Sequence, residues 1–172
     1  MIKVVITGSE STGKTQLAHQ LGRHYDAPVS EEFVRSYVQG RSAPLSFGDH
    51  GPIARGQIAN EDAAIARAKR LVILDTDLVS TVVYCTHYFS MAPQWIVDAA
   101  RARAGSLYLL LRPDVPWIPD GVRDRGERRE EMHALFAGTL SDLRLTPVEI
   151  GGDWDARFAS AVRAIDALLP PP

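Results

Sequence analysis

Short apolar runs alternate along the chain with longer stretches in which apolar residues recur every three or four positions. The runs predict buried strands and the spaced pattern predicts amphipathic helices, an alternation that is typical of βαβ units in a parallel sheet. The predicted strands are 2–7, 28–30, 71–74, 107–111 and 148–150. The predicted helices are 14–24, 31–39, 52–69, 78–89, 94–103, 127–143 and 153–169. Residues 40–49 and 113–126, rich in Gly and Pro, are predicted loops.

The first predicted strand leads into the segment Gly-Ser-Glu-Ser-Thr-Gly-Lys-Thr at 8–15. Its glycines allow the backbone N–H groups to surround phosphate oxygens, and the helix that follows adds the positive end of its dipole. We expect Lys14 to contact the β- and γ-phosphates of ATP and Thr15 to bind Mg²⁺. The predicted nucleotide-binding residues are Gly8, Ser11, Thr12, Gly13, Lys14, Thr15 and Gln16.

Strand, loop and helix together predict an α/β, three-layer P-loop NTPase fold. We expect a parallel sheet of about five strands, with the phosphate-loop strand in the centre and helices on both faces. The chain has 172 residues, a length suited to one domain with one sizeable core. We therefore predict a single domain over 1–172, with a lid at about 113–131.

Acidic residues follow two predicted strands at the edge of the sheet where ligands bind. Asp75 is expected to hold Mg²⁺, directly or through water, together with Thr15. Glu32 and Asp77 are alternative candidates for orienting an acceptor hydroxyl and taking its proton. Arg35 lies on the helical face of Glu32, where it could pair with Glu32 or reach a substrate. Each acid also has a simpler interpretation as a helix cap or first-turn acid.

Residues 120–131 hold four arginines among five acids, with glycines at 121 and 126. Such a segment can close over the phosphates and supply positive charge to the transition state. Arg123 and Arg128 are the preferred catalytic pair, beside Lys14. Tyr84 and Trp117 are candidates for stacking on a substrate ring, with burial in the core as the alternative.

Composition narrows the choice of partner and compartment. The formal net charge is −2, so no basic excess favours a nucleic-acid partner. The single cysteine, Cys85, rules out an internal disulfide. No apolar run approaches the roughly 20 residues that span a membrane, and no export signal is visible, so cytoplasm is the expected compartment.

Several segments resemble the ribosylnicotinamide kinase domain of NadR-type proteins. They are GSESTGKT at 8–15, SEEFVRSYV at 30–38, IARGQIANEDAA at 53–64, LDTDLVSTVVY at 74–84, LYLLLRPDVPWIPDGVRD at 107–124 and IGGDWDAR at 150–157. The resemblance implies transfer of the ATP γ-phosphate to the 5′-hydroxyl of nicotinamide riboside, giving nicotinamide mononucleotide in NAD salvage. NadR-type proteins carry further domains upstream, so the resemblance implies a stand-alone kinase or a fragment.

Other functions stay open at this point. The acceptor could be another nucleoside or a small alcohol. The chain could instead be a regulatory P-loop ATPase or a nucleotide sensor. A GTPase is disfavoured, because the guanine-reading Asn/Thr-Lys-x-Asp motif is absent from the sequence. Neither the oligomeric state nor a preference for ATP over GTP follows from these residues.

Overall fold

The computed structural model describes residues 1–116 and 128–169. Within these ranges the chain forms five strands and seven α-helices. The strands are β1 (Ile2–Thr7), β2 (Val29–Ser30), β3 (Leu71–Asp75), β4 (Leu107–Leu111) and β5 (Val148–Ile150). The helices are α1 (Lys14–Tyr25), α2 (Phe33–Val38), α3 (His50–Arg67), α4 (Leu78–Phe89), α5 (Gln94–Ala102), α6 (Arg129–Asp142) and α7 (Trp154–Asp166).

All five strands are parallel and lie in the order β2-β3-β1-β4-β5. Val4 of β1 is opposite Ile73 on one side and Leu107 on the other, so β1 is the central strand. The prediction of a parallel, five-stranded α/β sheet with the phosphate-loop strand in the middle is confirmed. The central position places the loop after β1 between the carboxyl ends of β3 and β4, where ligands bind in such sheets.

Alternate residues of the central strands enter two hydrophobic cores, one on each face of the sheet. Val5 belongs to the core under α3, α4, α5 and α6. Val4 and Ile6 belong to the core under α1 and α7. Because both faces are covered, the strands read as continuous apolar runs, which is the usual sequence signature of a buried parallel sheet. In this three-layer arrangement the carboxyl ends of the parallel strands lie at one edge of the sheet.

Element boundaries differ from the predictions where local capping decides them. Residues 40–49 were predicted as loop, yet Phe47–Asp49 forms a 3₁₀ turn that runs into α3 at His50. The Asp49 carboxylate accepts hydrogen bonds from the backbone N–H and the hydroxyl of Ser46, at 2.8 and 2.7 Å. This reciprocal cap starts the helix before Pro52, which is tolerated in a first turn.

The predicted lid falls partly beyond the described residues. It was predicted at about 113–131, of which 117–127 lie outside them, as do residues 170–172. Among the helices of the described ranges, none is both long enough and apolar enough to span a bilayer.

Candidate active site

The loop between β1 and α1 has the backbone conformation that its glycines predict. Gly8 has φ +130°, and a Cβ there would lie 2.9 Å from the carbonyl oxygen of Leu111. Gly13 has φ +85°, and a Cβ there would lie 2.4 Å from the Trp154 ring. Both positions therefore require glycine for backbone conformation and for close packing.

Two side chains donate hydrogen bonds to one carbonyl of the loop. The Thr12 hydroxyl donates to the Ser9 carbonyl at 2.9 Å, and Lys14 Nζ donates to the same oxygen at 2.7 Å. Lys14 is buried against the loop, whereas Gln16 is exposed in the first turn of α1. Ser11, also a predicted nucleotide contact, adopts a left-handed backbone conformation with φ +53°. Lys14 thus holds an ammonium group against the loop at the start of α1, and a glycine loop with a lysine at a helix N-terminus is suited to phosphate.

Thr15 and Asp75, the predicted metal pair, are in direct contact. The Thr15 hydroxyl donates to Asp75 Oδ2 at 2.6 Å. Asp75 Oδ1 is buried without a hydrogen-bond partner among the described residues. Burial, followed by the nearby Glu32 carboxylate, raises the pKa of Asp75 to about 6. A divalent cation would give Asp75 Oδ1 a partner and would reduce the repulsion between the Asp75 and Glu32 carboxylates.

No group of three or more His, Cys, Asp or Glu side chains suited to a metal is found in the described ranges. In P-loop proteins one hydroxyl, one carboxylate, waters and phosphate oxygens provide the ligands of Mg²⁺. Thr15 and Asp75 are a hydroxyl and a carboxylate in contact, and their role as metal ligands stays a prediction.

A cavity of about 370 Å³ opens beside β3, enclosed by α2, α3 and α4. Most of its lining surface is apolar, and its polar residues lie at the end of β3 and on the helices around it. The polar wall includes Glu32, Gln57, Thr76 and Asp77, and the aromatic wall includes His50, Tyr84, Tyr88 and Phe89. Both candidates for orienting an acceptor, Glu32 and Asp77, thus line one cavity. A pocket with few polar groups on an aromatic lining is typical of small-molecule sites.

Asp77 is fixed on both of its carboxylate oxygens. Oδ1 accepts the Val79 backbone N–H at 3.0 Å, which caps α4. Oδ2 accepts the hydroxyl of Tyr108, a buried residue of β4, at 2.6 Å. Burial raises the pKa of Asp77 to about 6, although both hydrogen bonds act in the opposite direction. The capping role considered from the sequence is thus real, and it coexists with a position on the cavity wall.

Glu32 lies at the N-terminus of α2 and is 6% exposed. Its Oε2 pairs with Arg35 Nε at 3.0 Å, so the predicted pair forms. Gln57 of α3 supports this segment, because its Oε1 accepts the Phe33 backbone N–H at 2.9 Å and its amide reaches the Thr76 carbonyl at 3.4 Å. Gln57 therefore ties the Glu32 segment to the end of β3.

Tyr84 joins the cavity to the phosphate loop. Its hydroxyl donates to Glu10 Oε2 at 2.8 Å, and both residues are buried. Its ring is nearly parallel to that of Tyr88, with centroids 6.3 Å apart. Tyr84 is therefore buried in the core and also lines the cavity, and its contact with a substrate ring stays a prediction.

The arginines at the start of α6 are placed differently from one another. Arg128 is exposed and pairs with Glu131 at 3.5 Å. Arg129 Nη1 instead donates to the Val115 carbonyl at 2.8 Å and reaches the Ser11 carbonyl of the phosphate loop at 3.5 Å. Arg123 and Trp117, the other two site residues predicted in the lid segment, lie outside the described residues.

Sequence reasoning did not single out several residues that the structure brings to the site. They are Glu10, Gln57, Tyr108, Arg129 and Arg157. A polar residue within an apolar helical face or strand indicates a buried hydrogen bond, and Gln57 and Tyr108 are both such residues. Their partners lie on other elements, so this pattern does not predict which residue each one contacts.

Comparison with known proteins agrees with this arrangement. The family model described as "AAA domain" matches residues 3–157. The trifunctional NAD biosynthesis/regulator protein NadR of Escherichia coli K12 is 28% identical, over 96% of this chain and 42% of its own length. A crystal structure of NadR in complex with NR matches with a TM-score of 0.80 and 27% identity, over 96% of this chain and 51% of that one.

More distant neighbours show the fold alone. The thymidylate kinase of Ehrlichia chaffeensis has a TM-score of 0.62 at 13% identity, over 98% of both chains. The resemblance to NadR-type proteins is confirmed by the closer matches, although the chain spans less than half the length of the curated relative from Escherichia coli. With the family model covering most of its length, the chain belongs to the AAA domain family.

Proposed function

We propose that this chain transfers the γ-phosphoryl group of ATP to the 5′-hydroxyl of nicotinamide riboside, giving nicotinamide mononucleotide. The support is similarity over 96% of the chain to NadR, a protein of NAD biosynthesis whose crystal structure contains NR. Because the chain spans only part of NadR, its own activity requires a direct test.

One observation carries the proposal: the aromatic cavity beside β3 is joined to the phosphate loop. Asp75 of the metal pair is two residues from Asp77 on the cavity wall. The Tyr84 hydroxyl, which donates to Glu10, provides a second connection. Under this proposal an acceptor in the cavity would lie next to a nucleotide on the loop, as direct phosphoryl transfer requires.

The charge of the cavity favours a cationic acceptor. Among its described lining residues there are two carboxylates, Glu32 and Asp77, and no lysine or arginine, while Arg35 pairs with Glu32 from outside this lining and offsets one of the two charges. Tyr84, Tyr88 and Phe89 add aromatic rings, which attract cations through their faces. The pyridinium ring of nicotinamide riboside is a flat aromatic cation, whereas thymidine and deoxycytidine are neutral.

In this scheme each group at the site has one role. The loop amides and Lys14 hold the polyphosphate, and Thr15 with Asp75 would hold Mg²⁺, which offsets the phosphate charge. Glu32 or Asp77 orients the acceptor hydroxyl and accepts its proton. Arg123 and Arg128 of the lid are the proposed source of further positive charge. Positioning and electrostatic stabilisation are sufficient, because phosphoryl transfer requires little covalent catalysis by the protein.

The test is a transfer assay with the purified chain, ATP and Mg²⁺. The acceptors are nicotinamide riboside, its reduced and uncharged form, thymidine and deoxycytidine. We expect nicotinamide mononucleotide to form, with the uncharged acceptors turned over at least tenfold less efficiently. The Lys14→Ala variant should lose transfer while keeping its circular dichroism spectrum.

Each alternative predicts another outcome. Preferred turnover of thymidine or deoxycytidine would replace the proposal with a different nucleoside kinase. ATP hydrolysis that no acceptor stimulates would indicate a regulatory ATPase. Undiminished transfer by Lys14→Ala would show that the loop is not the donor site.

A further inference from the structure

Arg157 of α7 is the largest fully buried side chain among the described residues, with 1% of its surface exposed. Every nitrogen group of its guanidinium donates a hydrogen bond. Nε donates to the Gly152 carbonyl at 2.8 Å, Nη1 to the Thr12 carbonyl at 3.0 Å, and Nη2 to the Arg112 carbonyl at 2.8 Å. Nη2 also contacts the Asp114 carboxylate. One side chain thus joins three loops at the ligand edge of the sheet.

The Thr12 carbonyl belongs to the phosphate loop, and its direction affects what the loop can bind. A peptide carbonyl and the following N–H point to opposite sides of a planar unit. A carbonyl held outward therefore turns the next amide, that of Gly13, toward the loop interior. Amides of this kind are the groups that bind phosphate in such loops.

We propose that Arg157 is a positioning residue for the polyphosphate of the donor nucleotide. By holding the Thr12 carbonyl outward, it fixes the loop in its phosphate-binding conformation before the nucleotide arrives. The inference rests on the proposed function only in taking a nucleoside di- or triphosphate as the ligand of the loop. Pre-organisation of this kind increases affinity by removing the cost of ordering the loop on binding.

The arrangement requires arginine specifically. A guanidinium has donors in fixed directions within one plane, whereas a lysine ammonium is a single point at the end of a flexible chain. Asp114 balances the buried charge and also accepts the Gly152 backbone N–H at 2.8 Å. Trp154, one turn before Arg157 on α7, packs against Gly13. The first turn of α7 thus contacts the loop through both residues.

The contacts of Arg157 are separate from the acceptor cavity. Its partners Thr12, Arg112, Asp114 and Gly152 are all absent from the described lining of that cavity. A positioning role therefore predicts an effect on the donor nucleotide and none on the acceptor. A general weakening of the fold would affect both.

The experiment measures nucleotide affinity by calorimetry without any acceptor, so its outcome does not depend on which acceptor is used. The variants are Arg157→Lys and Asp114→Asn, with Arg163→Lys as the matched control. Arg163 lies on the same helix and donates to Ser160 at an exposed site. The ligands are ATP, ADP and AMP with Mg²⁺.

We expect Arg157→Lys to weaken ATP and ADP binding at least tenfold, roughly the effect of losing one charged hydrogen bond. AMP binding should change less than threefold, because AMP lacks the phosphates that the loop surrounds. In the transfer assay the KM for ATP should rise while the KM for the acceptor stays within twofold. Asp114→Asn should act in the same direction with a smaller effect, which provides a second test if Arg157→Lys does not fold. Arg163→Lys should match the wild type.

Two results would overturn the inference. A folded Arg157→Lys variant that binds ATP as tightly as the wild type would show that the loop does not depend on the guanidinium. Equal losses of affinity for ATP, AMP and the acceptor would show that Arg157 has only a general structural role. A failure of the chain to phosphorylate nicotinamide riboside would leave the ATP and ADP comparison intact, so the two proposals fail separately.

Discussion

Replacing Glu61 with glutamine should stabilise the protein at neutral and alkaline pH. Glu61 of α3 is 1% exposed and lies beside the buried Asp77. Its Oε2 is 3.3 Å from Arg103 Nη2, and Arg103 is shared with the exposed Asp62. Burial, followed by the like charge of Asp77, raises the pKa of Glu61 from 4.5 to about 7, although Arg103 and Lys3 oppose the change.

The sign of the effect follows from the raised pKa. A carboxyl that holds its proton more tightly when folded stabilises the protein below about pH 4.5, and this contribution is lost as the pH rises through about 7. A change in pKa from 4.5 to about 7 corresponds to roughly 3 kcal/mol. Glutamine has nearly the same shape and carries no charge, so Glu61→Gln removes this loss.

The assay is urea unfolding of the wild type and Glu61→Gln at pH 5 and pH 8. We expect the free energies of unfolding to agree within about 1 kcal/mol at pH 5. At pH 8 the variant should be more stable by up to about 3 kcal/mol. Asp98→Asn is the control, because Asp98 forms an exposed pair with Arg101 at 3.9 Å and should change stability by less than about 0.5 kcal/mol.

A variant that is less stable than the wild type at pH 8 would refute this reasoning. That result would mean that the ion pair with Arg103 stabilises the folded state by more than the burial of Glu61 costs. The ionised Glu61 would then stabilise the wild type. Some buried ion pairs behave in this way, because removing one partner is strongly destabilising.

Two further predictions concern the site. Asp75→Asn should raise the Mg²⁺ concentration needed for half-maximal transfer at least tenfold, because a charged oxygen next to Thr15 is lost; an unchanged Mg²⁺ titration would remove Asp75 from the metal site. Tyr84→Phe should lower the free energy of unfolding by about 1–3 kcal/mol, because the buried Glu10 carboxylate loses its donor. Tyr25→Phe is the control, because Tyr25 donates to Asp166 at an exposed position. This variant should lose less than half as much free energy of unfolding in the same urea titration, and equal losses for the two variants would contradict the argument from the buried carboxylate.

Local patterns along the chain were sufficient for most of the fold. The bounds of β1, β4, β5 and α4 agree with the predicted ranges, because continuous apolar runs and helical spacing are local properties. The phosphate loop was equally accessible, since its glycines and its lysine are needed at fixed spacings. Boundaries set by caps, such as the turn before α3, were less accessible because the Ser46–Asp49 contact depends on side-chain geometry.

The sequence by itself determined the layer architecture, the phosphate loop and the two acidic strand ends, because each depends on patterns among residues that are near one another in the chain. Only the tertiary structure decided which distant groups meet there. Tyr108 reaches Asp77 across 31 positions, Tyr84 reaches Glu10 across 74, and Arg157 reaches Thr12 across 145. Local spacing carries no information about such pairs, because packing of the parallel strands and their helices brings them together.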